Sequence, residues 1–187
     1  MYQTSDIRKG LKIEMDNAPY VVVEFLFVKP GKGTAFTRTK LKNLLTGSVL
    51  DRTFRTGEAL VPADTSDVNM QYLYRDGDGC VFMNLEDYDQ LTISDKTLGT
   101  AKNYLVEEME VQVLFYKNEP VIVEVPNFVE LEITECEPGV RGNTAQGATK
   151  PATLSTGHQV SVPLFVEEGT WVKVDTRTGD YVERVKR

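Results

Sequence analysis

Val21-Val22-Val23-Glu24-Phe25-Leu26-Phe27-Val28, then Lys29-Pro30-Gly31-Lys32-Gly33, then Thr34 through Leu41 with Thr, Phe and Arg alternating, is the stretch that decides the fold class. The first run is β-branched and aromatic, too short for a typical helix, and stopped by Lys29-Pro30-Gly31. The runs on either side of Pro30-Gly31-Lys32-Gly33 therefore read as a β-hairpin with that tetrapeptide as its loop. The same signal recurs along the chain. Met70 to Arg75 and Cys80 to Asn84 flank Asp76-Gly77-Asp78-Gly79. Glu110 to Tyr116 and Val121 to Val125 flank Lys117-Asn118-Glu119-Pro120. Trp171 to Val174 and Tyr181 to Val185 flank Asp175 to Asp180. Phe128-Val129-Glu130-Leu131-Glu132-Ile133 alternates apolar and acidic, as a half-buried strand does. Short helices are expected only at Leu98 to Leu105 and near Thr149 to Leu154. Frequent short strands with turn signals predict an all-β chain of small barrels or sandwiches. Pro62-Ala63-Asp64 and Pro126-Asn127 read as junctions, giving modules 1–63, 64–127 and 128–187. Each holds about 60 residues, near the lower limit for an independent core. No sequence repeat stands out.

The 187 residues are 41% hydrophobic and 26% charged, enough to bury a core. The formal net charge of -7 excludes a uniformly basic nucleic-acid binder. It does not exclude a basic face. Residues 1–63 hold ten Lys/Arg against six Asp/Glu, a local +4. Residues 64–128 are at -9 and residues 129–187 at -2. One end of the chain is therefore suited to phosphate. No apolar run reaches the roughly 20 residues of a membrane helix. The start, MYQTSDIRKG, has no apolar signal core, so a cytoplasmic chain is expected.

Glycine on both sides of Lys32 removes the side chains that would shield it, and a hairpin tip carries it to the end of two strands. The result is one cation on a thin rod that fits a narrow, negatively charged space. A turn glycine pair with a merely solvated lysine has the same sequence. The loop lacks the spacing of GxxxxGK[ST] and is not a nucleotide-binding P-loop. Lys29, Arg38, Lys40 and Lys42 lie on the same hairpin or just after it, and suit phosphate contacts. Lysines that guard an edge strand against aggregation follow the same pattern.

Other chemistry is thin. Cys80 and Cys136 lack CxxC spacing, so neither a disulfide framework nor a zinc site is expected. His158 is the one histidine, and a structural role fits it better than a dyad with Cys136 or Ser155. Asp76 and Asp78 open like a calcium loop, but the later ligands are missing, so a turn is expected. Asp87 and Asp89 read as a solvated acidic face. Tyr72, Tyr74, Phe82, Phe115 and Tyr116 are expected in cores, with base stacking on an OB surface as the alternative.

Val28-Lys29-Pro30-Gly31-Lys32-Gly33-Thr34-Ala35-Phe36 resembles the tip hairpin of the bacterial elongation factor P family. Asn127 to Leu131 is similar to the start of that family's third domain. Lys150 to Gly157, Val162 to Val166 and Val174 to Val182 are similar to its C-terminal signature. These matches fall in the family's order along the whole chain. The resemblance implies an SH3-like (KOW-type) N-terminal barrel followed by two OB-folds, three small β-barrels in an L-shaped, tRNA-like arrangement. It implies a noncatalytic translation factor that binds the 70S ribosome between the P and E sites. Its partners would be P-site peptidyl-tRNA, rRNA and E-site mRNA. It would relieve stalling at consecutive prolines, with Lys32 at the functional tip among Pro30, Gly31 and Gly33, reaching toward the peptidyl-transferase centre. Proline is a secondary amine with fixed φ and reacts slowly in poor geometry. A steadied peptidyl-tRNA lowers the entropic part of that barrier.

By the same resemblance, Lys29, Arg38, Lys40 and Lys42 would meet tRNA or rRNA phosphates. Gly142-Asn143-Thr144 matches the family's mRNA-facing loop Gly-Asp-Thr, with Asn143 in place of the acid. Asparagine keeps an acceptor and adds donors. Lys32 would be the residue that carries a covalent extension, added by a lysine-modifying enzyme. No cofactor, metal or membrane is expected, and the chain would act as a monomer. The competing reading is a free-standing OB-type RNA-binding chaperone.

Overall fold

The computed structural model of this chain describes residues 1–139 and 147–187. The described residues are almost entirely strand and turn. In the N-terminal third the strands are Tyr2–Gln3 (β1), Lys12–Met15 (β2), Ala18–Val28 (β3), Phe36–Asn43 (β4), Val49–Arg55 (β5) and Ala59–Pro62 (β6). They form a six-stranded sheet in the order β1-β6-β2-β3-β4-β5. Thr65–Asp76 (β7), Gly79–Asn84 (β8), Gln90–Ser94 (β9), Glu110–Tyr116 (β10) and Glu119–Glu124 (β11) follow, in the order β11-β10-β7-β8-β9. Phe128–Cys136 (β12), Thr149–Leu154 (β13), Gln159–Pro163 (β14), Trp171–Asp175 (β15) and Asp180–Val185 (β16) are ordered β14-β13-β12-β15-β16. The two five-stranded sheets share one connectivity. In each, the first strand is central, the second and third lie to one side, and the fourth and fifth to the other.

The chain packs as two compact units, residues 1–68 with 113–122 and residues 69–112 with 123–187. In the first, Ile7, Leu11, Ile13, Tyr20, Val22, Leu41, Phe54 and Leu60 form the core. The β10–β11 turn is tied to it by a Lys117–Glu14 ion pair at 3.3 Å and by the Lys117 N–H donating to the Asp64 carbonyl. In the second unit the alternating residues of β12, β13, β14 and β15 face inward around Leu131, Ile133, Leu154 and Val172. Tyr104 is buried in that core, and the Thr156 hydroxyl donates to the Asn103 carbonyl at 2.6 Å.

Local chemistry explains the turns. Asp16-Asn17 and Lys117-Asn118 all have positive φ, the conformation that two-residue hairpin loops require. The helix expected from Leu98 to Leu105 is shorter and earlier. One turn, Asp95–Leu98 (α1), is capped by the Ser94 hydroxyl and runs into a tighter turn over Gly99–Asn103. The stretch Thr149 to Leu154, expected as a short helix, is β13. Its burial has a period of two, with Lys150, Ala152 and Leu154 inside, and it pairs with β12 and β14. The inward Lys150 ammonium donates to the Glu137 carbonyl at 2.7 Å, which offsets the cost of burying it.

β4 shows the alternation that matters most. Thr37, Thr39, Leu41 and Asn43 are buried, while Arg38, Lys40 and Lys42 are exposed. Leu41→Ala is expected to cost about 2–5 kcal/mol, because its side chain is completely enclosed. Lys40→Ala and Lys42→Ala should each stay within about 0.5 kcal/mol of wild type. Urea denaturation of the three variants measures both effects; equal costs at all three positions would contradict this division of faces.

Candidate functional site

Three strands build the site. Leu26 pairs Arg38, which pairs Thr53; Glu24 pairs Lys40, which pairs Asp51; Val28 pairs Phe36, which pairs Arg55. β3 carries one extra residue between Val22 and Glu24, so its register against β4 shifts there. Such a bulge bends a strand and increases its twist. It also resets which face each side chain takes. Beyond it, β3 and β4 leave the hydrophobic core and continue as a hairpin arm. Along the arm Phe25, Leu26 and Phe27 are all exposed, at 47%, 60% and 58%.

The inner face of β4 changes composition along the same path, from Leu41 to Thr39 and Thr37. Thr39 fills its hydroxyl's need internally, donating to the Arg52 carbonyl at 2.7 Å. At the barrel end of β4, the Asn43 side-chain oxygen accepts from the Leu45 and Thr46 N–H groups at 2.8 and 3.1 Å. That fixes the turn into β5.

The arm ends in Lys29 to Ala35. The base of this tip loop is held where the Thr56 N–H and hydroxyl both donate to the Ala35 carbonyl, at 3.0 and 2.9 Å. Lys32 is exposed at the bend between Gly31 and Gly33. Gly33 has φ +109, which a side chain rarely adopts, and a Cβ at Gly31 would meet nothing within 4 Å. Lys29 is exposed, and Pro30 is partly covered. The loop thus presents Lys32 with bare backbone on both sides.

The outer face of the arm is cationic. It holds Arg38, Lys40, Lys42 and Arg55 against Glu24 and Asp51. Lys40 is paired with Glu24 at 3.4 Å. Among the described residues, Lys29, Lys32, Arg38 and Lys42 make no ion pair. Two open concavities of about 470 and 460 Å³ lie on the arm and share Arg38 and Thr53. An exposed row of cations, most of them unpaired among the described residues, is the arrangement that exchanges counterions for phosphates.

Lys29, Arg38 and Lys40 are therefore on one arm with Lys32 at its tip, and Lys42 lies on the same outer face just before the bulge, opposite Val21. The third group of expected contacts, Gly142, Asn143 and Thr144, lies outside the described residues. Reading the sequence singled out neither Arg52 and Arg55 nor the exposed Phe25 and Phe27. The signal for the phenylalanines was present in the apolar run of β3, which is longer than the core it serves. The other candidates take structural places. His158 packs edge-on against Tyr104 with ring centroids 5.5 Å apart. Asp76 ends β7 and Asp78 lies in the two-residue turn that leads into β8. Cys80 is buried, and burial pushes its thiol above the ordinary range. No group of three or more His, Cys, Asp or Glu gathers to hold a metal among the described residues. Nor is any helix there long and apolar enough to cross a membrane.

Comparison with known proteins agrees with this architecture. Residues 3–60 match the elongation factor P KOW-like domain, residues 65–123 its OB domain and residues 129–184 the elongation factor P C-terminal model. The chain is 54% identical to the elongation factor P of Synechococcus sp. (strain JA-3-3Ab) over 98% of this chain and 100% of that one. It is 52% identical to that of Moorella thermoacetica over 98% and 100% of the two chains. With that of Desulfatibacillum aliphaticivorans it shares 47% over the full length of both. A solved structure of translation initiation factor 5A from Methanococcus jannaschii superposes with a TM-score of 0.56 at 21% identity, covering 67% of this chain and 92% of that one. At that identity the likeness speaks for the fold. The fold is all-β with a KOW-like N-terminal domain and OB domains, and the chain belongs to the elongation factor P family, a family of translation elongation factors.

Proposed function

We propose that this translation factor binds the ribosome between the P and E sites, steadies peptidyl-tRNA and so stimulates peptide-bond formation at consecutive prolines. The observation that carries the reading is Lys32, exposed between two glycines at the end of a cationic arm. The chain supplies position and charge rather than an acid, base or nucleophile. A primary ammonium on a thin arm enters a crowded, phosphate-lined space. It holds the acceptor end of the tRNA in a reactive pose, which removes part of the entropic cost of reaction. Arg38, Lys40 and Lys42, with Lys29, contact tRNA or rRNA phosphates and set the arm's register without reading sequence. Gly142-Asn143-Thr144 faces mRNA in the E site. The three functional modules are residues 1–63, 64–127 and 128–187, and the protein works in the cytoplasm as a monomer.

Lys32→Ala is expected to abolish rescue of a triproline reporter in a reconstituted translation system while leaving a proline-free control and the melting temperature unchanged. Wild-type rescue by this variant would remove the tip-lysine mechanism. Gly33→Val strains the loop where φ is +109 and should weaken rescue without unfolding the protein. Replacing Arg38, Lys40 and Lys42 by alanine should make the slope of log affinity against log salt shallower by about 2 to 3 in ribosome binding. A covalent extension on Lys32 predicts a mass increase confined to the tip peptide of natively expressed protein; an unshifted peptide excludes it.

A further inference from the structure

The cationic row uses one face of the arm. The other face has a different chemistry. Beyond the bulge, Phe25 lies in a row with Thr39 and Arg52, and Phe27 in a row with Thr37 and Phe54. The threonines and Phe54 are buried, and the two phenylalanines stand half-exposed above them. The Arg52 guanidinium lies over the Phe54 ring, 5.4 Å from its centroid, at the far side of the same face. Neither phenylalanine is needed to close the core, which ends at Val22, Leu41 and Phe54. The β2 side of β3 is also unpaired here, because β2 pairs only as far as Val21.

Exposed aromatic rings fit a protein surface or unpaired bases, and local charge separates the two. Residues 24–55 carry seven Lys/Arg against two Asp/Glu, within a chain whose net charge is -7. Apolar rings set in a field of +5 suit a polyanion with π-faces. Single-stranded nucleic-acid sites combine aromatic platforms with flanking cations. An arginine lying over an aromatic ring adds a second planar surface.

We propose that Phe25 and Phe27, flanked by Arg52, form a stacking platform for unpaired RNA bases on the face of the arm opposite Arg38, Lys40 and Lys42. This deepens the reading given above and rests on the arm contacting RNA. One face tracks phosphates, and the other holds the bases of a single-stranded end. Stacking is tolerant of sequence, so the platform selects unpaired RNA rather than a particular base.

The test uses full-length protein and two RNA stem-loops, one blunt and one with a short single-stranded tail carrying a fluorescent adenine analogue. Wild type should prefer the tailed RNA and quench the analogue on binding. Phe25→Leu with Phe27→Leu keeps apolar bulk and strand geometry but removes the rings. It should weaken binding of the tailed RNA about tenfold or more and leave the blunt RNA unchanged. Phe25→Trp with Phe27→Trp should retain the preference and the quenching. Arg38→Ala with Lys40→Ala should weaken both RNAs alike. Equal affinity of wild type for the two RNAs, unchanged tail binding by the leucine variant, or equal loss on both RNAs would overturn the platform. Loss of the preference in the tryptophan variant would overturn it as well. The ribosomal reading fails separately, through Lys32→Ala in the triproline assay, because that variant leaves both phenylalanines in place.

Discussion

Pairing of β3 with β4 is the constraint on which the site depends. It is the longest antiparallel pairing around the N-terminal core, and it carries Lys32 beyond that core. The extra residue at Val23 is what reconciles its two halves. Without it, Glu24 and Leu26 would take the face now held by Phe25 and Phe27, since a one-residue slip exchanges the faces of a strand. The bulge keeps Val22 inside, turns Glu24 toward Lys40, and sends the two phenylalanines to the face opposite the cations.

Rigidity and reach follow from where the core stops. Leu41 is the last enclosed apolar residue of β4, and toward the tip β4 turns Thr39 and Thr37 to its inner face, with Phe54 of β5 opposite Thr37. Those threonines cost little to cover with strand backbone and rings, and Thr39 satisfies its hydroxyl on β5. The arm is therefore held largely by ladder hydrogen bonds, by the inner-face packing of Thr37, Thr39 and Phe54, and by the Thr56–Ala35 contacts at the base of the tip loop. A thin arm of this kind gives up hydrophobic stabilisation in exchange for slenderness. The glycines at its end carry that trade to its limit.

Electrostatics then make the arm distinct from the chain that bears it. The middle third carries the acidic excess, at -9, while the N-terminal third that bears the arm is at +4. Charge separation along the sequence lets an acidic protein keep a cationic end.

Much of this was legible in the sequence. The β-branched run, the turn tetrapeptide and the alternation of Arg38, Lys40 and Lys42 with Thr39 and Leu41 are local signals. Local signals determine strand, hairpin and outward face, because side chains alternate with a period of two. The charge asymmetry and the bare lysine needed no coordinates. What only the tertiary structure decided depends on pairing across distance. Thr149 to Leu154 became a strand because β12 and β14 flank it, and the shared connectivity of the two five-stranded sheets left no repeat in the residues. The fate of Phe25 and Phe27 is the clearest case. An apolar run reads as core whatever surrounds it; the bulge at Val23 turns those rings to the inner face, and only the end of the hydrophobic core leaves them half in solvent.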